Sequence, residues 1–296
     1  MIHRSFAKHF YIMLIPGLLW LIFFNLYPMY GVITAFKEFN PGVGLWKSPW
    51  VGLENFKYMF ELDDSKIIFR NTVVIAFAKM IGNLIVPLVF ALMLNEVKNR
   101  LFTRTVQTVV YLPHFLSWVI VGGMMLDIFS YSGPVNQVLE SLGVEPVLFF
   151  ANENAFPALV VGSDIWKEFG FNAIIYFAAL TSINPEMYEA AAIDGASQWK
   201  RLTKITIPSI LPVAALLATL SLGNILNAGF DQIFTMYNPS VYSTGDIVDT
   251  WVYRAGLIDF QYGLASAVGL LKSVVGLVLI TISYVLAYRF ANYRIF

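Results

Sequence analysis

Polar and ionisable side chains interrupt stretches of this chain that are otherwise apolar: Asn25, Lys79, Asn83, Asp127, Asp164, Lys167, Glu168, Asn172, Asn224, Asn227 and Lys272. None of them has the spacing of a reaction centre. The chain has no His-Glu-x-x-His, no Gly-x-Ser-x-Gly and no convincing pair of catalytic aspartates within an apolar run. With no cysteine, thiol nucleophiles, zinc-cysteine sites, iron-sulfur clusters and disulfide scaffolds are excluded, and the redox compartment is left undetermined. The three histidines, His3, His9 and His114, are too scattered for a metal cage. Neither a catalytic residue nor a metal ligand is therefore expected, and what these groups can do is pair, hydrogen-bond and recognise.

A charge placed in hydrocarbon costs about 2.5–3.5 kcal/mol, so such groups must face protein or water. They fall mostly in the outer and middle parts of the apolar runs, while inner parts such as Leu84–Leu94 and Leu277–Ile280 are cleaner. That asymmetry fits a water-filled chamber opening outward. The competing reading is that the same groups glue helices together, and it is preferred for Asp164, Lys167 and Glu168, which stand at helical spacing and could satisfy one another. Lys79 and Lys272 have no local partner, so they either pair with acidic residues elsewhere or meet an anionic solute. His114 follows Leu112-Pro113, where the proline frees a backbone carbonyl that the ring could satisfy; lining a gate is the alternative.

The elements that must position these groups are transmembrane helices. Hydrophobic residues make up 58% of the 296 and charged residues 13%, against about 25% charged in an average soluble domain. The apolar runs approach the roughly 20 residues that cross about 30 Å of hydrocarbon as a helix. The expected fold is an all-α integral membrane protein with six transmembrane helices near 10–34, 70–94, 106–129, 156–180, 208–228 and 264–288, forming a single domain over residues 1–296. No internal repeat, low-complexity tract or linker to a second domain is visible. The apolar start, Tyr11–Phe24, lacks a small-residue cleavage site and reads as the first span rather than a cleaved signal peptide.

Charge sets the orientation. Arg4 and Lys8, then Lys98, Arg100 and Arg104, then Lys200, Arg201 and Lys204, and finally Arg289 and Arg294 fall on one side. Ser130–Ala155 holds no Lys or Arg and Gly229–Gly263 holds only Arg254, so the positive-inside bias puts both termini in the cytoplasm. The first outer loop, Lys37–Phe69, breaks the pattern with Lys37, Lys47, Lys57 and Lys66, offset by five acidic residues. Its Trp46, Trp50, Phe56, Tyr58 and Phe60 point either to a short interfacial helix or to a loop packed on the bundle. The formal net charge is zero, so nothing points to nucleic acid.

Between the fourth and fifth spans lies a cytoplasmic segment, residues 189–212, far longer than the roughly 2–8 residues that usually connect helices in bundles. Its Glu189-Ala190-Ala191-Ala192-Ile193 run favours helix, and Asp194-Gly195 is a turn pair. A second helix follows, with Trp199, Leu202 and Ile205 as apolar anchors, and Pro208 and Pro212 mark a rigid connection to the next span. Small residues on the first helix permit close approach by a partner, so the segment reads as a docking element. No Gly-x-x-x-x-Gly-Lys-Ser/Thr loop is present to cradle nucleotide phosphates, so any motor is another polypeptide.

The pattern Glu189-Ala190-Ala191, then Asp194-Gly195-Ala196, then Ile205, Pro208 and Pro212 resembles the signature loop of permease subunits in binding-protein-dependent ATP-binding-cassette importers. Leu202 departs from it, since the family often has an aromatic residue there. Ile15-Pro16-Gly17, Val51-Gly52-Leu53-Glu54-Asn55-Phe56, and Pro185-Glu186 with Tyr188 resemble the sugar-importer, maltose-type branch, and Tyr111-Leu112-Pro113-His114-Phe115 with Trp118 is similar to permeases for oligosaccharides and polysaccharide fragments such as alginate and pectin-derived sugars.

The resemblance implies that the loop is a coupling helix seated in a cleft of a cytoplasmic ATPase, with Glu189, Ala190, Ala191, Asp194, Gly195, Ala196, Trp199 and Leu202 as ATPase-coupling residues. It implies alternating access driven by ATP hydrolysis on separate subunits, a second, different permease, two ATPase subunits that bind ATP and Mg, an external solute-binding protein, and a place in the bacterial cytoplasmic membrane. No cofactor is expected on this chain. A saccharide would meet Asn83, Asn224 and Asn227 through its hydroxyls, Trp118 and Tyr176 through its ring faces, and Lys79 or Lys272 through a uronate carboxylate. Permeases for a simple disaccharide or glycerol-phosphate are the alternative substrate classes. An ion-driven secondary transporter is the other mechanism, but the paired broken half-helices expected of it are not evident.

Overall fold

The computed structural model describes residues 4–291; His3 and Arg294, with the side chains of Arg4 and Lys8, lie outside the described residues. In chain order the α-helices are α1 (Arg4–Leu21), α2 (Glu54–Glu61), α3 (Asp63–Asn95), α4 (Arg100–Tyr111), α5 (Trp118–Ile128), α6 (Pro134–Ser141), α7 (Ala155–Thr181), α8 (Pro185–Ile193), α9 (Gln198–Arg201), α10 (Ile207–Leu222), α11 (Phe230–Met236), α12 (Tyr242–Gly245), α13 (Val248–Tyr253) and α14 (Tyr262–Ala291). Among the described residues β-structure is limited to one isolated bridge, Lys37 to Trp50. The protein is all-helical.

Among the described residues four helical stretches are long and apolar enough to cross a membrane: His9–Phe36, Asp63–Asn95, Gln198–Leu222 and Tyr262–Leu286. A fifth arises if Arg100–Phe115 and Trp118–Ile128, bent by 104°, count as one broken span. Helix α7 has 27 residues, about 40 Å at 1.5 Å per residue. Every crossing-length stretch of it includes Asp164, Lys167 and Glu168, which keeps it out of the apolar group.

Prolines account for two departures from regular α-helix. Pro28 and Pro208 have no N–H to donate to the carbonyl four residues back, and the turn before each widens to a π-turn. There Tyr27 N–H bonds the Ile22 carbonyl at 2.8 Å, and the Ile207 N–H bonds that of Leu202. The single third helix expected over 106–129 is instead two. Asn99 caps α4, a 3-10 turn covers Leu112–Phe115, and the Ser117 hydroxyl accepts from Ile120 N–H to start α5 in a new direction. Pro113 was read as freeing a carbonyl, and together with the Ser117 cap it redirects the chain. The fifth expected span, 208–228, stops at Leu222, and Gly229 opens α11.

The chain divides into two compact units, Met1–Leu62 with Val252–Leu271, and Asp63–Trp251 with Lys272–Phe296. In the first, the segment after Phe36 folds on itself. Lys37 is buried, and its ammonium donates to the carbonyls of Leu45 at 2.8 Å and Ser48 at 3.2 Å, while Phe36 and Trp50 stack at 5.7 Å. The loop with α2 thus combines a self-packed turn and a short helix.

In the second unit α3 packs along α7, α5 against α11, and α10 against both α3 and α7. One core gathers Ile75, Val121, Phe156, Val160, Ile233 and Met236. Another, nearer the ends that lead to the basic segments, gathers Ala91, Ala173, Tyr176, Leu180 and Ile210. Many apolar side chains elsewhere on the long helices are exposed, and every residue from His9 to Val32 is exposed within the chain. A surface of that kind needs lipid or other protein around it.

Candidate functional site

Two features in the second unit bring together the residues singled out from sequence. The first is a helix–turn–helix over Pro185–Arg201. The Asn184 side chain accepts from Glu186 N–H at 3.0 Å, and Pro185 occupies the first turn, so α8 has a firm start. It ends just as definitely. Gly195 has φ 70°, its N–H bonds the Ala192 carbonyl at 3.1 Å, and Ala196 N–H reaches the Ala191 carbonyl at 2.8 Å. This paired closure satisfies carbonyls that the helix end would orphan, and it favours a residue without Cβ at the left-handed position. The Ser197 hydroxyl then accepts from Lys200 N–H at 3.4 Å to start α9. Tyr188 and Thr206 hydroxyls, 2.8 Å apart, tie α8 to the turn entering α10.

This element presents a surface. Glu189, Ala190, Asp194 and Gly195 are exposed, Ala191, Ala196 and Leu202 are half-buried, and Trp199 is 71% exposed. Ile193, not singled out from sequence, is 87% exposed. Its position between the alanine run and the Asp-Gly turn was the available signal, since an apolar residue at a helix end has no neighbour of its own chain beyond it. The exposed apolar side chains of Ile193 and Trp199 stand near the exposed charged residues Glu189, Asp194 and Lys200 in sequence.

The second feature is a set of ion pairs. Lys79 on α3, 6% exposed, lies 3.2 Å from the Asp164 carboxylate of α7 and donates to the Ala228 carbonyl at 2.7 Å and to Gln232 Oε1. Gln232 is fully buried and donates to the Val160 carbonyl at 2.7 Å and the Ser163 hydroxyl at 2.8 Å. The other Asp164 oxygen accepts from Asn83 at 2.8 Å, and Asn172 donates to Asn83 at 3.4 Å. Further along α7, Lys167 donates to the His114 carbonyl and to Glu168, each at 2.9 Å, and lies 5.3 Å above the Trp118 ring. His114 Nδ1 is 2.6 Å from the second Glu168 oxygen, and its ring stacks on Phe171 at 3.8 Å. Lys272 pairs with Asp249 at 2.5 Å.

Asp164 and Lys167 thus part company despite their helical spacing, Asp164 going to Lys79 and Lys167 to its neighbour Glu168. The His114 ring, read as able to satisfy a carbonyl freed by Pro113 or to line a gate, faces Glu168. Its own carbonyl takes Lys167. Asp249 and Gln232 were not read from sequence, because each lies outside the apolar runs and becomes a partner only through the fold. Tyr176 is 1% exposed, and its hydroxyl bonds the Leu84 carbonyl at 3.1 Å. Asn224 and Asn227 are exposed, and Asn224 borders a cavity of about 580 Å3 with Gly223, Ser283 and Tyr284. Among the described residues no cluster of His, Asp and Glu could hold a metal ion. The arrangement can support structure and offer polar contacts.

Residues 83–292 match the model of the binding-protein-dependent transport system inner membrane component family. The chain belongs to that family. Protein LplB of Bacillus subtilis (strain 168) is 40% identical over 290 residues, covering 98% of this chain and 91% of that one. The polygalacturonan/rhamnogalacturonan transport system permease protein YteP of the same organism is 36% identical over 290 residues, covering 98% and 90%. A crystal structure of a bacterial alginate ABC transporter in complex with alginate pentasaccharide-bound periplasmic protein includes a chain with TM-score 0.88 and 36% identity, covering 97% of this chain and 96% of that one. The protein is a multi-pass membrane permease of a transport system, and both the α8–α9 element and the charges of α7 lie within the matched region.

Proposed function

We propose that this permease forms half of the path through which an ATP-driven importer moves an acidic oligosaccharide. The observation that supports the mechanism is the α8–turn–α9 element, closed at Gly195 with Ile193 and Trp199 exposed. In this reading it is the coupling helix. It sits in a cleft of a cytoplasmic ATPase, and closure of the ATPase pair around ATP and Mg drives the permease between outward-facing and inward-facing states.

The topology in this reading has six spans: the four apolar helices, the bent α4–α5 pair, and α7 with its charges paired internally. Both termini lie in the cytoplasm of a bacterial cell, and the chain crosses the inner membrane. A second, different permease completes the path, two ATPase subunits drive it, and an external solute-binding protein delivers the saccharide. The substrate class rests on the relatives, since polygalacturonan and alginate are both uronate polymers. Among the path residues, Asn224 and Asn227 are exposed to sugar hydroxyls and Trp118 offers a ring face. Lys79, Asn83, Tyr176 and Lys272 hold the frame through the partners described above.

Reconstitution of the full complex in liposomes tests this. Uptake of trigalacturonate or an alginate trisaccharide, dependent on both ATP and the loaded binding protein, is the expected result. Uptake driven by an ion gradient without ATP overturns the mechanism, and ATP-driven uptake confined to a disaccharide or glycerol-phosphate overturns the substrate class.

A further inference from the structure

A cleft in the first unit is claimed by none of these roles. The turns after Lys37, α2 and the start of α14 enclose a cavity of about 950 Å3. Its walls are fixed from behind. The Asn55 amide donates to the carbonyls of Ala35 at 2.9 Å and Lys37 at 3.1 Å, and the Lys37 ammonium is spent on backbone carbonyls. Gly263 lets the start of α14 approach so closely that a Cβ there would lie 2.6 Å from the Lys37 carbonyl oxygen.

The lining, by contrast, is left free. Among the described residues the side chains of Glu38, Lys47 and Gln261 and the Tyr58 hydroxyl make no hydrogen bond or ion pair within the chain, yet all four border the cavity. Beside them Phe39 and Tyr262 meet edge to face at 5.6 Å. The rim carries strain. Phe260 is the one non-glycine residue with positive φ among the described residues, at 57°, and its ring is 69% exposed. Left-handed backbone costs a phenylalanine about 1–2 kcal/mol, and an exposed ring recovers little of that through burial. Bonds from Gln261 N–H to the Ala255 carbonyl at 2.8 Å and from Asp259 N–H to the Arg254 carbonyl at 2.9 Å hold the turn in place. Strain that the surrounding backbone maintains is characteristic of ligand-binding positions.

From this juxtaposition of rigid wall, aromatic faces and unspent polar groups, we propose that the cleft is an outer saccharide subsite. It takes one sugar unit of the oligosaccharide before the chain moves into the path. Phe39 and Tyr262 cover the C–H face of the ring, Glu38 and Gln261 bond its hydroxyls, and Lys47 meets a uronate carboxylate. The inference rests on the proposed function and its topology, which put residues 37–69 and 229–263 outside the membrane.

The test uses the complete complex with its own binding protein in nanodiscs, and a trigalacturonate carrying a diazirine at one end. The expected result is light-induced labelling of peptides within residues 37–58 or 258–264. Lys47→Met and the double variant Glu38→Gln/Gln261→Leu should each lower that labelling and ATP-driven uptake about tenfold, the factor for roughly one lost charged hydrogen bond. Docking of the empty binding protein should be unchanged, which also shows that the variants fold. Labelling confined to other segments overturns the subsite. A loss of empty-protein docking equal to the loss of uptake makes the cleft a seat for a loop of the binding protein instead. A wild-type complex without ATP-driven uptake of the trisaccharide fails the proposed function itself. Normal uptake with unlabelled cleft peptides fails the subsite alone.

Discussion

Lys79 on α3 and Asp164 on α7 lie 3.2 Å apart, with Asn83, Gln232 and the Ala228 carbonyl bonded around them. The two helices that pack along each other most extensively are thus pinned by a charge pair with saturated surroundings. Removing one partner strands the other charge, which costs about 3–5 kcal/mol, whereas replacing both by apolar residues of similar volume is often neutral. Lys79→Met should therefore lower the thermal stability of the detergent-solubilised complex, and Lys79→Met/Asp164→Leu should recover most of it. Equal loss in the single and double variants would show that the pair has some role other than mutual compensation.

Gly195→Asp should leave the chain inserted and folded and abolish transport. A Cβ at this position meets nothing within 4 Å, so the intramolecular cost is the left-handed backbone alone, about 1–2 kcal/mol. The proposed ATPase cleft, however, would receive an added side chain and charge at the turn. Membrane abundance and uptake measured side by side check this, and retained uptake would sink the coupling assignment.

What could be read in advance follows the range of the interaction. Apolar length located four long apolar helices, and the Asp194-Gly195 pair placed the turn between α8 and α9, because both signals are local. The break at Leu116-Ser117 was hidden, since Pro113 in an apolar run suits a kinked helix as well as two helices 104° apart. Ion-pair partners were hidden for another reason. Lys79 and Lys272 announced a need for compensation, but only the fold decides that Asp164 and Asp249 answer it. The cleft lined by Glu38 and Gln261 joins segments remote in sequence, and nothing local marks Phe260 for positive φ.

Ile193 and Trp199 protrude from α8 and α9 with little support from their own chain. In the proposed assembly these side chains contribute to the ATPase contact and not to the fold, and a buried anchor in an interface is worth about 2 kcal/mol or more. Ile193→Ser and Trp199→Ala should each cut the ATPase stimulation produced by the loaded binding protein by about tenfold or more. The melting temperature of the isolated permease should not move. A falling melting temperature would assign these residues to folding.

Asn224 and Asn227 separate from Tyr176 by the same reasoning. The two asparagine side chains are exposed and have no hydrogen-bond partner among the described residues, whereas the Tyr176 hydroxyl is committed to the Leu84 carbonyl. Asn224→Ala and Asn227→Ala should therefore slow saccharide uptake while leaving thermal stability unchanged. Tyr176→Phe should cost about 1 kcal/mol of stability, the typical net contribution of one hydrogen bond, and leave the preference among saccharides as it was. Uptake of trigalacturonate against a neutral trisaccharide, measured beside melting of each variant, distinguishes path from frame. A change of preference in Tyr176→Phe would put the tyrosine among the groups that meet the sugar.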